Sequence, residues 1–231
     1  MSGSIVSPEL RKRVRGIATP IAVGFGRLGL TPNHLTLIGF GIAIFAAVAA
    51  YQQLWLAAGV LLIVGGVFDL FDGALARATG TASMIGAFMD SVFDRAGEAI
   101  VYVGIVAGCV EAGFTAGAIL AAAAMASAFM VSYVRAKSES LGFEIGAGMA
   151  SVGIAPREVR IVILTIGLVA TGVFDGLNLV DDPSLLASYD PWGKGRWALA
   201  AALGLIAFLA TTTTFQRILH VLSQSSNKEQ Q

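Results

Sequence analysis

The sequence predicts an all-α integral membrane protein: a bundle of six transmembrane helices preceded by an amphipathic helix at the membrane interface. Three observations carry that expectation. The residues are 56% hydrophobic and 13% charged, about half the charged share of an average soluble domain. Mean hydropathy is +0.77. The apolar residues also gather into six runs close to the ~20 residues that cross a bilayer.

The first element covers about residues 7–29. Leu10, Val14, Ile17, Ile21 and Phe25 recur at helical spacing, with Arg11, Lys12, Arg13 and Arg15 around the first of them. That pattern predicts a helix lying on the membrane surface, which Pro20 is expected to break or kink. This stretch lacks a continuous apolar core followed by a small-residue cleavage site, so no cleavable signal peptide is expected. The six spans follow at about 33–52, 54–78, 83–108, 113–135, 157–177 and 195–219. Residues 1–222 are thus expected to form one membrane domain, and Ser223–Gln231 a polar, disordered tail. Cys109 is the lone cysteine. It has no internal disulfide partner and sits in an apolar run, as a small packing residue does.

Six spans put both termini on one side. Arg77, Arg135, Lys137, Arg157, Arg160 and Arg217 fall at the ends nearest the termini, whereas Glu111, Asp175, Asp181, Asp182 and Asp190, against Lys194 and Arg196, fall at the other. The positive-inside bias therefore predicts cytoplasmic termini and a cytoplasmic connection at 77–83, in the cell membrane of a prokaryote. With 15 basic and 15 acidic residues the net charge is zero, and nothing in the bulk charge favours nucleic acid.

The second and third spans contain Asp69, Asp72, Asp90 and Asp94. A charge at mid-bilayer costs about 2.5–3.5 kcal/mol on insertion scales, and four carboxylates together repel one another. Asp69 and Asp72 are three apart and Asp90 and Asp94 four apart, so each pair shares a helix face. The turn at 78–82 folds the two helices into an antiparallel hairpin and brings the pairs to overlapping depths, about 12–20 Å from the turn at 1.5 Å per residue. A bound cation is the natural compensation. Facing carboxylates offer only oxygen, which suits Mg²⁺ or Mn²⁺. Gly73 and Gly86 permit close approach of a ligand, and the guanidinium of Arg77 suits phosphate oxygens.

Read in order, the segment is Asp69-x-x-Asp72-Gly73-x-x-Ala76-Arg77, then Gly86-x-x-x-Asp90-x-x-x-Asp94. It resembles the signature of the CDP-alcohol phosphotransferase family. The resemblance implies that Asp69, Asp72 and Asp90 bind two metal ions with Asp94 near them. Asp94 would be the general base, while Asn33, Gly73, Ala76, Arg77 and Gly86 would contact a CDP-linked lipid. An alcohol would attack the lipid-side phosphorus and CMP would leave. Members of the family are often homodimers. Asn33 is open to a second role, as a helix cap.

A second cluster, Ser132, Arg135, Lys137, Arg157 and Arg160, lies on the side where the aspartates open. It resembles the acceptor site of the phosphatidylinositol-phosphate and archaetidylinositol-phosphate synthases, whose basic residues hold the phosphate of inositol phosphate. Those relatives place Lys then Arg where this chain has Arg135 then Lys137, a swap that keeps charge and changes shape. Glycerol 3-phosphate is the competing acceptor. Two distant alternatives are an intramembrane prenyltransferase, whose acidic motifs lie far apart in sequence, and a cation transporter, which needs no Gly-x-x-Ala-Arg pattern.

Overall fold

The computed structural model describes residues 8–143, 152–178 and 194–229. Among them seven helices follow one another: α1 (Pro8–Arg27), α2 (Pro32–Tyr51), α3 (Trp55–Thr79), α4 (Met84–Glu111), α5 (Thr115–Ser140), α6 (Arg157–Asn178) and α7 (Lys194–Glu229). The six expected spans map one for one onto α2–α7. Four of these, α2, α3, α5 and α7, are long and apolar enough to cross a membrane on length and composition alone. Asp90, Asp94, Arg95 and Glu98 interrupt the apolar run of α4, and Arg157, Glu158 and Arg160 occupy the first turn of α6 ahead of its apolar run. Asp181, Asp182 and Asp190, which help assign the outer face, lie outside the described residues.

Local chemistry sets the helix ends. Thr31 caps α2 through a reciprocal box with His34, which leaves Asn33 free of the capping role. Gly80 ends α3 in the left-handed region at φ 65°, a conformation that favours a residue without Cβ. Ser83 then caps α4 by accepting from the backbone of Gly86 at 3.0 Å. α3 and α4 thereby follow one another across a tight turn, but they do not pack together as the expected hairpin does: both lean on α2, which stands between them.

α2 packs against α3 and α4, α5 against α4 and α7, and α6 against α3 and α7. The shared core is built from small residues (Ala46, Ala50, Ala58, Ala121, Ala124) interleaved with Ile105, Leu168, Leu203 and Ile206. Such residues let backbones approach where lipid supplies no hydrophobic drive between helices. Large apolar side chains such as Phe45, Ile63, Ile119, Ile166 and Phe208 point outward, as a protein dissolved in lipid requires.

Two further expectations change. α1 runs through Pro20 without ending. Ala18 and Ala22 bury on either side of it, against a cluster with Leu35, Ala74 and Leu75, and this packing holds both halves across the missing hydrogen bond. Ile21 stays 45% exposed, while the side chains of Leu10, Val14 and Ile17 lie outside the described set. The disordered tail expected from Ser223 is instead a continuation of α7 to Glu229. No Gly or Pro interrupts it, and propagating an existing helix is far easier than starting one.

Candidate active site

Asp69 and Asp72 on α3 and Asp90 and Asp94 on α4 lie in the parts of their helices nearest the Gly80 turn. Asp72 lies in the field of Asp90 and Asp69, and Asp94 in that of Asp69 and Asp90. Asp72 is the most enclosed, at 5% exposure. It accepts a 2.7 Å hydrogen bond from the Thr36 hydroxyl on α2. Gly39, one turn further along α2, makes room for the neighbouring carboxylate, because a Cβ there would lie 3.1 Å from Oδ1 of Asp69.

The cation among these carboxylates is Arg157, the first residue of α6. Its Nη2 lies 3.0 Å from Oδ2 of Asp69 and its Nη1 2.8 Å from Oδ2 of Asp94. Arg95 lies 3.5 Å from the same Asp94 oxygen. Arg157, expected in the acceptor cluster, therefore joins the two acidic helices. The cause is electrostatic: crowded carboxylates in a low-dielectric bundle take the nearest guanidinium.

The remaining cations divide. Arg160 does not open to the site. It is 1% exposed and doubly bonded to Glu98, at 3.0 and 2.9 Å. Arg135 pairs with Glu139 at 2.7 Å along its own helix, and Lys137 is exposed. Arg217 on α7, which the sequence offers only as a topology signal, is buried. It donates to the carbonyls of Val152 and Val131 at 2.9 and 2.7 Å and lies within the field of Arg135 and Arg160.

Of the CDP-lipid candidates, Gly73, Ala76 and Arg77 follow Asp72 on α3, while Asn33 and Gly86 lie in the first turns of α2 and α4. A Cβ on Gly73 would sit 3.1 Å from Nη1 of Arg77, and one on Gly86 3.1 Å from the Ser83 hydroxyl and 3.6 Å from Oδ1 of Asn33. These two glycines therefore sit directly beneath Arg77 and Asn33. Ala76 lies on the same turn of α3 as Arg77, and Ser132 is half-buried on α5.

Among the described residues no three acidic or imidazole side chains close on one point as a finished metal shell. Arg157 and Thr36 hold three of the four aspartates in other bonds. The donor set nevertheless fits a hard divalent ion. It is oxygen only, acidic on two successive helices, and already draws the Arg157 cation between them.

The family model for CDP-alcohol phosphatidyltransferase matches residues 29–181. The archaetidylinositol phosphate synthase of Pyrococcus horikoshii is 38% identical over 173 residues, 74% of this chain and 87% of that protein. The archaetidylinositol phosphate synthase of Methanothermobacter thermautotrophicus is 33% identical over 213 residues, 92% of each. The crystal structure of Mycobacterium tuberculosis phosphatidylinositol phosphate synthase with CDP-DAG bound aligns at a TM-score of 0.72 and 25% identity. That alignment spans 89% of this chain and 93% of the mycobacterial one. The same enzyme in complex with manganese and citrate aligns at 0.70 and 24%, over 89% of this chain and 88% of that one. A match across residues 29–181, joined to relatives alike over most of their length, shows that the chain belongs to the CDP-alcohol phosphatidyltransferase family of membrane enzymes.

Proposed function

We propose that the enzyme transfers a phosphatidyl- or archaetidyl-type group from a CDP-linked lipid to inositol phosphate, releasing CMP. The observation that carries this reading is the bridging of Asp69 on α3 and Asp94 on α4 by the Arg157 guanidinium, with Asp72 and Asp90 on the same two helices. The acceptor follows from the names of the two archaeal relatives and from the cations beside the site.

Asp69, Asp72 and Asp90 hold magnesium or manganese, with Asp94 at the edge of the site. A metal held there would supply charge neutralisation for the diphosphate of the CDP-lipid as CMP departs. Arg77 and Asn33, standing over Gly73 and Gly86 with Ala76 beside them, take the cytidine and phosphate end of the nucleotide. Asp94 takes the proton from the acceptor hydroxyl, since an alcohol is a poor nucleophile near neutral pH. The alcohol oxygen bonds to the lipid-side phosphorus as the bond to CMP breaks. Arg157 serves both partners. Its guanidinium leaves the carboxylates for the acceptor's phosphate, which brings the hydroxyl to Asp94 and frees an oxygen of that carboxylate to accept the proton. Ser132, Arg135 and Lys137 form the outer rim of the acceptor site.

The catalytic face is proposed to be cytoplasmic, residues 1–222 to be the working domain, and the enzyme to be a homodimer, as the family resemblance implies. A cysteine probe in 178–190 should label from outside intact cells, and one in 223–231 only after permeabilisation; the reverse pattern overturns the orientation. Cross-linking in native membranes tests the dimer.

The decisive experiment gives purified enzyme CDP-diacylglycerol and CDP-archaeol with a panel of alcohols and measures CMP release. Metal-dependent release should be strongest with inositol phosphate. Arg157→Ala should raise its apparent KM about tenfold to a hundredfold, the loss of a charged hydrogen bond worth about 1.5–3 kcal/mol. The KM for the CDP-lipid should stay near parental. Good turnover of free inositol, glycerol or serine would return the basic cluster to a topology signal.

A further inference from the structure

We propose that Glu98 and Arg160 are a positioning couple that sets Arg157 over the carboxylates. The inference rests on the acceptor role proposed for Arg157. Glu98 lies four residues after Asp94 on α4, and Arg160 three after Arg157 on α6. The two helices thus meet at two successive rungs. The outer rung is Asp94 with Arg157 at 2.8 Å. The inner rung is Glu98 with Arg160, where Nε meets Oε1 at 3.0 Å and Nη2 meets Oε2 at 2.9 Å.

The inner rung has the geometry of a register pin. A guanidinium fork on a carboxylate is planar and bidentate, so it fixes rotation as well as distance. One residue step about a helix axis is about 100°, and slipping α6 by that step carries Arg157 away from Asp69 and Asp94. The third arm of Arg160 extends the pin, with Nη1 donating to the carbonyl of Ala155 at 3.1 Å. The backbone N–H of Ala155 in turn donates to the Thr213 hydroxyl on α7 at 3.0 Å. The entry to α6, two residues before Arg157, is therefore fixed from α4, α6 and α7 together.

The pair has a second effect. Arg160 and Arg157 are neighbours on one helix face, and both are attracted to the aspartates. Holding Arg160 on Glu98 leaves Arg157 as the single α6 guanidinium on those carboxylates. Packing alone does not call for this arrangement, because apolar residues of similar volume commonly replace a buried ion pair at no cost in stability.

That last point supplies the test. The full-length Glu98→Leu/Arg160→Met enzyme, assayed with CDP-diacylglycerol and inositol phosphate, should melt close to the parent. Its KM for inositol phosphate should nonetheless rise about tenfold or more through misplacement of Arg157, with the KM for CDP-diacylglycerol unchanged. Arg160→Lys, which keeps the charge and loses the fork, should raise the same KM severalfold. A folded double variant with parental KM for inositol phosphate overturns the proposal. If the double variant does not fold, parental KM in Arg160→Lys overturns it. Arg157→Ala is the control: an unchanged KM there sinks the acceptor reading and this inference with it. A raised KM in Arg157→Ala with parental values in the pair variants sinks this inference alone.

Discussion

α2 and α4 lie side by side along the bundle, yet their two ends are built on opposite rules. Away from the site, Gly104 and Gly108 press on α2 so closely that a Cβ on either would overlap the carbonyls of Ala47 and Ala50. Moving toward the site the gap opens. A Cβ on Gly97 would stand 3.3 Å from that of Ala43, and beyond it Thr36, Asp72, Asp94 and Arg157 meet through polar bonds. One end is closed by shape, the other held by charge. The closed end supplies rigidity, and the open end is where nucleotide, metal and acceptor are proposed to bind. Isosteric changes of charge should therefore damage function at the open end and leave folding alone, while added volume at the closed end should do the reverse.

The largest expected effect is at the open end. Asp94→Asn should cut turnover by about 10²–10⁴, the usual worth of a positioned base, while CDP-lipid binding and melting temperature stay near parental. Near-normal CMP release would remove Asp94 from the mechanism. At the closed end, Gly108→Leu should cost about 1–3 kcal/mol through overpacking, seen as a lower melting temperature in detergent. The kcat of the molecules that remain folded should be close to parental; an unchanged melting temperature would mean that the helices are not closed by shape. The smallest effect is expected at Thr36, which bonds Asp72 from outside the metal shell. Thr36→Val should weaken manganese affinity about tenfold, measured by titration of the purified protein, with the melting temperature little changed. If Asp69→Asn and Asp72→Asn also leave metal-dependent CMP binding untouched, the open end does not hold the metal.

Much of this division was legible before the structure. Run lengths located α2–α7, and the intervals between Asp69, Asp72, Asp90 and Asp94 placed all four near the same turn, although α3 and α4 pack on α2 and not on each other as a hairpin would. Those inferences depend on helical period, which a sequence displays directly. What it does not display is which partner stands opposite. The spacing of Arg157 and Arg160 put both on one face, and the structure sends them to different acids. The available signal was Glu98, a further intramembrane acid one turn beyond Asp94, which calls for a buried cation. Thr36 and Gly39 carried no comparable mark, because a threonine and a glycine in an apolar helix are ordinary. The persistence of α1 through Pro20 depends on burial of Ala18 and Ala22 by residues distant in sequence, and local propensity gives no access to that.

Arg157 lies 88 residues beyond Asp69, the carboxylate it binds. During synthesis, therefore, the acidic helices α3 and α4 are complete long before their counter-ion exists. Each unpaired carboxylate makes entry into hydrocarbon less favourable, and helices inserted one after another find their partners by lateral association. The charges then close with the arrival of α6, which delivers Arg157 to Asp69 and Asp94 and Arg160 to Glu98, before α7 docks on α5 and α6. A chain arrested before α6 would keep its acidic pair waiting at the water boundary.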